Sequence, residues 1–220
     1  MATKTKKSAQ SSKLLHFSKK EAIDFGFETA KSNLFYFVTL FVVVILIYAL
    51  MTVLQGLATP KVNFLLFLLV LIIRIVVSLI VSMGLIKISI MFVDKKKPKL
   101  SDLFYTRSIL NFFLVSLVRS FIVIIGFILL IIPGIILSIK LQFAEYLVVD
   151  KNKGVVDALN GSWEMTRGVK WNLFLFGILI FLINLLGLIA LLVGLFITVP
   201  LTMVATAFVY RKLLLQSKSA

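Results

Sequence analysis

Residues 62–93 read VNFLLFLLVLIIRIVVSLIVSMGLIKISIMFV, an apolar run in which Arg74 and Lys87 are the only charges. As a helix rising 1.5 Å per residue this stretch is about 48 Å long, against roughly 30 Å of bilayer hydrocarbon. It predicts a membrane-spanning helix that leaves the bilayer near Lys87, with a break at Gly84 as the alternative. Outward from it the pattern repeats on both sides. The expected spans are 34–54, 62–88, 111–131, 135–149, 172–189 and 194–212. The fold class is therefore all-α: a polytopic transmembrane bundle of about six spans in three hairpins, each preceded by a short cytoplasmic surface helix.

The punctuation follows turn chemistry. Gln55-Gly56 to Thr59-Pro60 closes the first hairpin, and Pro133-Gly134 predicts a tight turn in the second. Ser101-Asp102 reads as a helix N-cap, and Pro200 as a kink in the last span. The turn between the fifth and sixth spans is itself apolar, so one long bent segment is the alternative there. Residues 1–18, with Lys4, Lys6, Lys7 and Lys13 and no acid, read as a disordered basic tail. The membrane domain covers 19–215, and 216–220 is a short tail. The first apolar run starts too late and runs too long for a secretory signal peptide.

Composition agrees. Hydrophobic residues make up 60% of the 220 and charged residues only 15%, where a soluble domain is about 45–50% apolar. The net charge of +15 would suggest nucleic acid in a soluble chain. Here the cations flank the apolar runs, in 1–33, 94–108, 150–172 and 211–220, with Lys61 alone in the opposite turns. That asymmetry predicts both termini in the cytoplasm and a multi-pass protein of the cytoplasmic membrane. Anionic lipid headgroups are the expected partners, and nucleic acid is not. There is no Cys, and the single His, His16, lies in the tail. A thiolate site, a His-based acid–base site and a zinc site all lack their residues. No phosphate loop, nucleophile elbow or dinucleotide loop is present. No cofactor or metal is expected, and the protein is not expected to be an enzyme.

Asn33-Leu34-Phe35, Asn111-Phe112-Phe113 and Asn172-Leu173-Phe174 each stand where a span leaves the charged side. They suggest three parallel repeats of surface helix, span, turn and span. The third surface segment is the best defined. Val155, Leu159, Trp163 and Thr166 share an apolar face opposite Asp157, Asn160, Glu164 and Arg167. Such a helix lies either in the headgroup plane or against the ends of the spans. The first segment, Lys19 to Ser32, is similar, with Ala22, Phe25, Gly26 and Thr29 on one side.

Five charges fall inside apolar runs: Arg74, Lys87, Arg119, Lys140 and Glu145. Intramembrane charge costs about 2.5–3.5 kcal/mol or more at the bilayer centre and calls for a reason. One reading pairs Glu145 with one of the four cations. The other gathers surplus cations around a cytoplasm-facing cavity that holds an anion, such as a lipid phosphate.

The stretch Leu130-Ile-Ile-Pro133-Gly134, then Ala144-Glu145-Tyr146 to Asp150, then Ala158-Leu159-Asn-Gly-Ser162-Trp163-Glu-Met-Thr166-Arg-Gly168 resembles the membrane domain fused to some bacterial glycerophosphodiester phosphodiesterases. It is similar also to related YciC-like inner-membrane proteins of unknown function. The likeness covers about residues 95–215. It implies a non-catalytic membrane part, because in the fused enzymes the chemistry resides in a separate soluble barrel. The expected function is accessory or structural, lipid-associated, in the cytoplasmic membrane. The alternative is a small transporter or permease-like component with a cationic cytoplasm-facing cavity.

Overall fold

The structure, a computed structural model, describes residues 16–61, 63–190 and 193–217. Most of the basic tail lies outside the described residues, as do 218–220. The described chain is helical, without strands. Its elements are α1 (Lys19–Ser32), α2 (Leu34–Leu57), α3 (Phe64–Val93), a 3₁₀ turn (Leu100–Phe104), α4 (Ile109–Leu129), α5 (Ile131–Leu141), α6 (Ala144–Lys151), α7 (Val155–Met165), α8 (Lys170–Ile189) and α9 (Leu195–Ser217). Six segments among the described residues are long and apolar enough to cross a membrane: α2, α3, α4, α5 with α6, α8 and α9.

These helices turn most of their apolar surface outward. Leu46, Leu65, Ile72, Ile128, Phe181 and Leu186 are all exposed, an arrangement that lipid tolerates and water does not. Only 6% of the most apolar window of α3 is buried, against 56% for α9. So α9 is the central helix, touching α1, α2, α3, α7 and α8. One cluster packs Met83, Phe143, Leu147, Met165, Leu173 and Tyr210. A second packs Phe37, Leu40, Val81, Ile88, Leu103 and Val204.

Local chemistry sets the boundaries. Ser18 accepts the Glu21 N–H at 3.2 Å and starts α1, and Asn63 accepts the Leu66 N–H at 3.0 Å and starts α3, both as N-caps. α3 is one helix. Gly84 is not a break; a Cβ there would overlap the Leu103 backbone carbonyl, so the glycine lets the 3₁₀ turn press against α3. That turn is capped by the Lys99 N–H on Asp102 at 2.7 Å, with Lys99 rather than Ser101 as the N-cap.

The second hairpin turns at Leu130, which is extended (φ −164°, ψ 153°), and not at Pro133-Gly134. Pro133 sits in the first turn of α5, where a missing N–H costs nothing. Gly134 packs against Gly126; a Cβ on Gly126 would lie 3.0 Å from the Gly134 Cα. The fourth span is two helices, α5 and α6, separated at Gln142–Phe143. α8 and α9 are distinct, and α9 continues through Pro200.

The three hairpins are not equally closed. Gly187 meets Thr198 and Gly194 in the third, as Gly126 meets Gly134 in the second. In the first, a Cβ on Gly56 would meet nothing within 4 Å, and α2 and α3, packed together at the other end, leave a groove between them toward the turn. The segments before the spans also differ. α1 packs antiparallel on α9, burying Ala22, Gly26 and Ala30, with Phe25 on Phe208 and Glu21 on Lys212 at 2.9 Å. His16 and Gln216 exchange hydrogen bonds of 2.9 and 2.8 Å, bringing the two ends of the described chain together. This end also carries Lys95–Lys97, Lys99 and Lys151.

Candidate functional site

The five in-span charges fall in separate places. Arg119 Nη1 lies 3.2 Å from Glu145 Oε1, and Ser116 Oγ donates to the same oxygen at 3.0 Å. Arg119 lies ten residues into α4 and Glu145 six before the end of α6. The long Arg119 side chain runs back toward its helix N-terminus and meets the carboxylate. Beside the pair, α4, α5 and α8 enclose a cleft of about 400 Å³ lined by Arg119, Ser138, Gln142, Gly177 and Phe181. Arg119 Nε and Gln142 Nε2 are buried without a hydrogen-bond partner.

The other cations go elsewhere. Lys140 Nζ sits 2.9 Å from the centroid of the Trp163 ring and Lys87 Nζ lies 5.1 Å from that of Tyr105, both cation–π contacts. Arg74 is exposed in the α2–α3 groove, of about 470 Å³, with Tyr48, Gln55, Phe67, Leu71 and Ser78. No single cavity gathers the four cations. Arg74 lies ten residues into α3, in the part of the helix nearer the α2–α3 turn than the lysine-rich end.

α7 closes the break in the fourth span. Ser162 Oγ accepts the Phe143 N–H at 3.1 Å and donates to the Lys140 carbonyl at 2.7 Å. It thereby serves a donor and an acceptor that the interrupted helix leaves open. Thr166 Oγ1 donates to the Ser162 carbonyl at 2.9 Å. Ala158, Ser162, Met165 and Thr166 are buried against the bundle. Val155 and Leu159 are half-buried, and Trp163 is 43% exposed. Of the two placements the pattern allows, α7 shows packing against the spans, with Trp163 at its edge.

Sequence reasoning missed the densest ionic cluster. Arg211 in α9 reaches Asp94 at the end of α3 through Nε at 2.8 Å and Nη2 at 2.5 Å. It also reaches Asp150 in α6 through Nη1 at 2.5 Å and Nη2 at 3.1 Å. Tyr210 Oη donates to Asp150 at 2.9 Å, and Lys151 Nζ lies 3.1 Å from the same carboxylate. One planar guanidinium therefore ties three spans together, as its fork of donors permits. The available signal was that three apolar runs each end on a charge, two acidic and one basic, at the same end of the bundle. Asn152 helps to fix this end: it closes α6 at φ 53°, and its side chain receives the Ser108 hydroxyl.

Among the described residues, no group of three or more His, Cys, Asp or Glu could hold a metal ion. A family model described as a domain of unknown function, DUF7847, matches residues 62–218. No curated protein matches the chain, and no solved structure does.

Proposed function

We propose that this chain, which belongs to the DUF7847 family, is a non-catalytic accessory protein of the cytoplasmic membrane. Its lysine-rich end faces the cytoplasm and rests on anionic headgroups. The observation that carries this reading is how the charges are used. Arg211 joins α9 to α3 and α6, and Arg119 joins α4 to α6. The ionic groups fasten helices to one another instead of converging on a reaction or transport site. Around the Arg211 clamp, Lys95, Lys96, Lys97 and Lys99 are exposed, and each Lys near a negative surface adds about 1 kcal/mol of attraction. The motif likeness to the membrane part of glycerophosphodiester phosphodiesterases points the same way.

The test is melting of the purified protein in nanodiscs of phosphatidylcholine alone or mixed with phosphatidylglycerol. Anionic lipid should raise the melting temperature of the wild type and raise it less for the K95Q/K96Q/K97Q variant. Equal responses would overturn the headgroup assignment.

One feature favours the permease-like alternative. The fourth span is broken at Gln142–Phe143 beside a cleft with two unpaired donors, and discontinuous helices build midplane sites in transporters. Arg74, Lys87 and Lys140 do not line that cleft. Anion flux into reconstituted vesicles above the protein-free rate, lost in R119Q, would decide for transport.

A further inference from the structure

Among the described residues, the groove between α2 and α3 is where a cation inside a span has no counterpart. Phe67, Leu71, Arg74 and Ser78 form one face of α3, and Tyr48 and Gln55 one face of α2. Arg74 makes no ion pair or hydrogen bond among the described residues. Both polar atoms of the Gln55 side chain are shut off from solvent with no hydrogen-bond partner. Gln55 is two residues from the end of α2, and Arg74 is ten residues, about 15 Å, from the start of α3. The groove thus leads from the α2–α3 turn to the middle of the bilayer. Arg side chains in a helix tilt toward its N-terminus, which aims the guanidinium up the groove toward Gln55.

A second copy of the chain cannot neutralise Arg74. Of its nine Asp and Glu, only Glu145 lies deep within a span, and Arg119 already holds it. The counter-ion has to come from outside the chain. The apolar side chains of Phe67, Leu71 and the exposed Ile75 also line the groove, and they suit acyl chains. A fork of guanidinium donors suits a phosphodiester.

We propose that the α2–α3 groove holds one phospholipid from the leaflet at the α2–α3 turn, its phosphate on Arg74 and the Gln55 amide and its acyl chains along α2 and α3. The site lies in the opposite half of the bilayer from the lysine-rich end. It rests on the reading of α2 and α3 as membrane spans and is independent of the role given to Lys95–Lys97.

The experiment is native mass spectrometry of the full chain, purified in a phosphate-free detergent and titrated with phosphatidylglycerol, with a parallel arm of inorganic phosphate. Wild type should retain one more lipid than R74Q at equal concentration, with retention about tenfold weaker in R74Q and intermediate in R74K and Q55L. K95Q/K96Q/K97Q should retain that lipid, whatever it does to headgroup-dependent melting. R74Q should melt no lower than wild type in lipid-free detergent, since Arg74 has no protein partner. Equal retention by R74Q and wild type would overturn the proposal, as would lower melting of R74Q in lipid-free detergent. It falls equally if inorganic phosphate alone displaces the retained lipid, or if a photo-crosslinker at position 74 captures a polypeptide instead of lipid in native membranes.

Discussion

Replacing Arg211 with Met removes the guanidinium that ion-pairs α9 with both α3 and α6. Four hydrogen bonds to carboxylates disappear, and Asp94 and Asp150 are left facing each other with only Tyr210 and Lys151 on the Asp150 side. Breaking a buried ion pair by removing one partner costs about 3–5 kcal/mol. The side chains here are partly exposed, at 16% for Arg211, 27% for Asp94 and 9% for Asp150. Water at Asp94 moderates the penalty, so the expected loss is about 3 kcal/mol, at the low end of that range. Lys in place of Arg keeps the charge but loses the fork, and R211K should lose about half as much. D94N should cost about 1 kcal/mol and D150N about 2, following their exposure. For a chain of 220 residues, a loss of 3 kcal/mol lowers the melting temperature by about 6–12 °C. The assay is thermal unfolding in nanodiscs followed by tryptophan fluorescence. If R211M melts within about 1 °C of wild type, or R211K matches it, the clamp does not hold the bundle together.

Ser162→Ala should lose about 2 kcal/mol, because the Phe143 N–H at the break in the fourth span loses its partner and the Lys140 carbonyl keeps only the longer 3.4 Å bond from Thr166 Oγ1; melting in nanodiscs measures it. Glu145→Gln should destabilise by about 2 kcal/mol by stranding Arg119, whereas E145M/R119M should recover most of that loss, and a double-mutant cycle reads the coupling directly. Gly84→Ala should cost about 1–3 kcal/mol, because its Cβ would overlap the Leu103 carbonyl, and should speed proteolysis at 95–104. Gly56→Ala, with nothing within 4 Å of its Cβ, should be neutral or stabilising by up to about 1 kcal/mol in the same assays.

The helical bundle was legible because lipid imposes a coarse rule: each crossing needs a long apolar run, and Lys and Arg stay outside it. The long run through Arg74 and Lys87 carries no proline, and it folds as the single helix α3. The second hairpin shows where such reading stops. Pro133-Gly134 has the composition of a turn, yet proline also suits a first helical turn and glycine also suits close packing, and the structure uses both that way. The break at Gln142–Phe143 carries no local signal at all. It exists because Ser162, remote in sequence, supplies the missing hydrogen-bond partners. The pairing of Glu145 with a cation was foreseeable in kind, but the choice of Arg119 depended on which helices are neighbours. Asp94, Asp150 and Arg211 looked like ordinary flanking charges, since nothing local says that three span ends converge.

The most direct measurement uses the absence of cysteine from these 220 residues. Single cysteines at Lys95, Lys151, Thr59 and Ala190, labelled with a membrane-impermeant thiol reagent applied to one face of sealed vesicles, report which side each residue occupies. The account predicts that K95C and K151C label together from one face and that T59C and A190C label together from the other. Labelling of K95C and K151C from opposite faces would contradict the six-span bundle and, with it, the placement of every charge inside it.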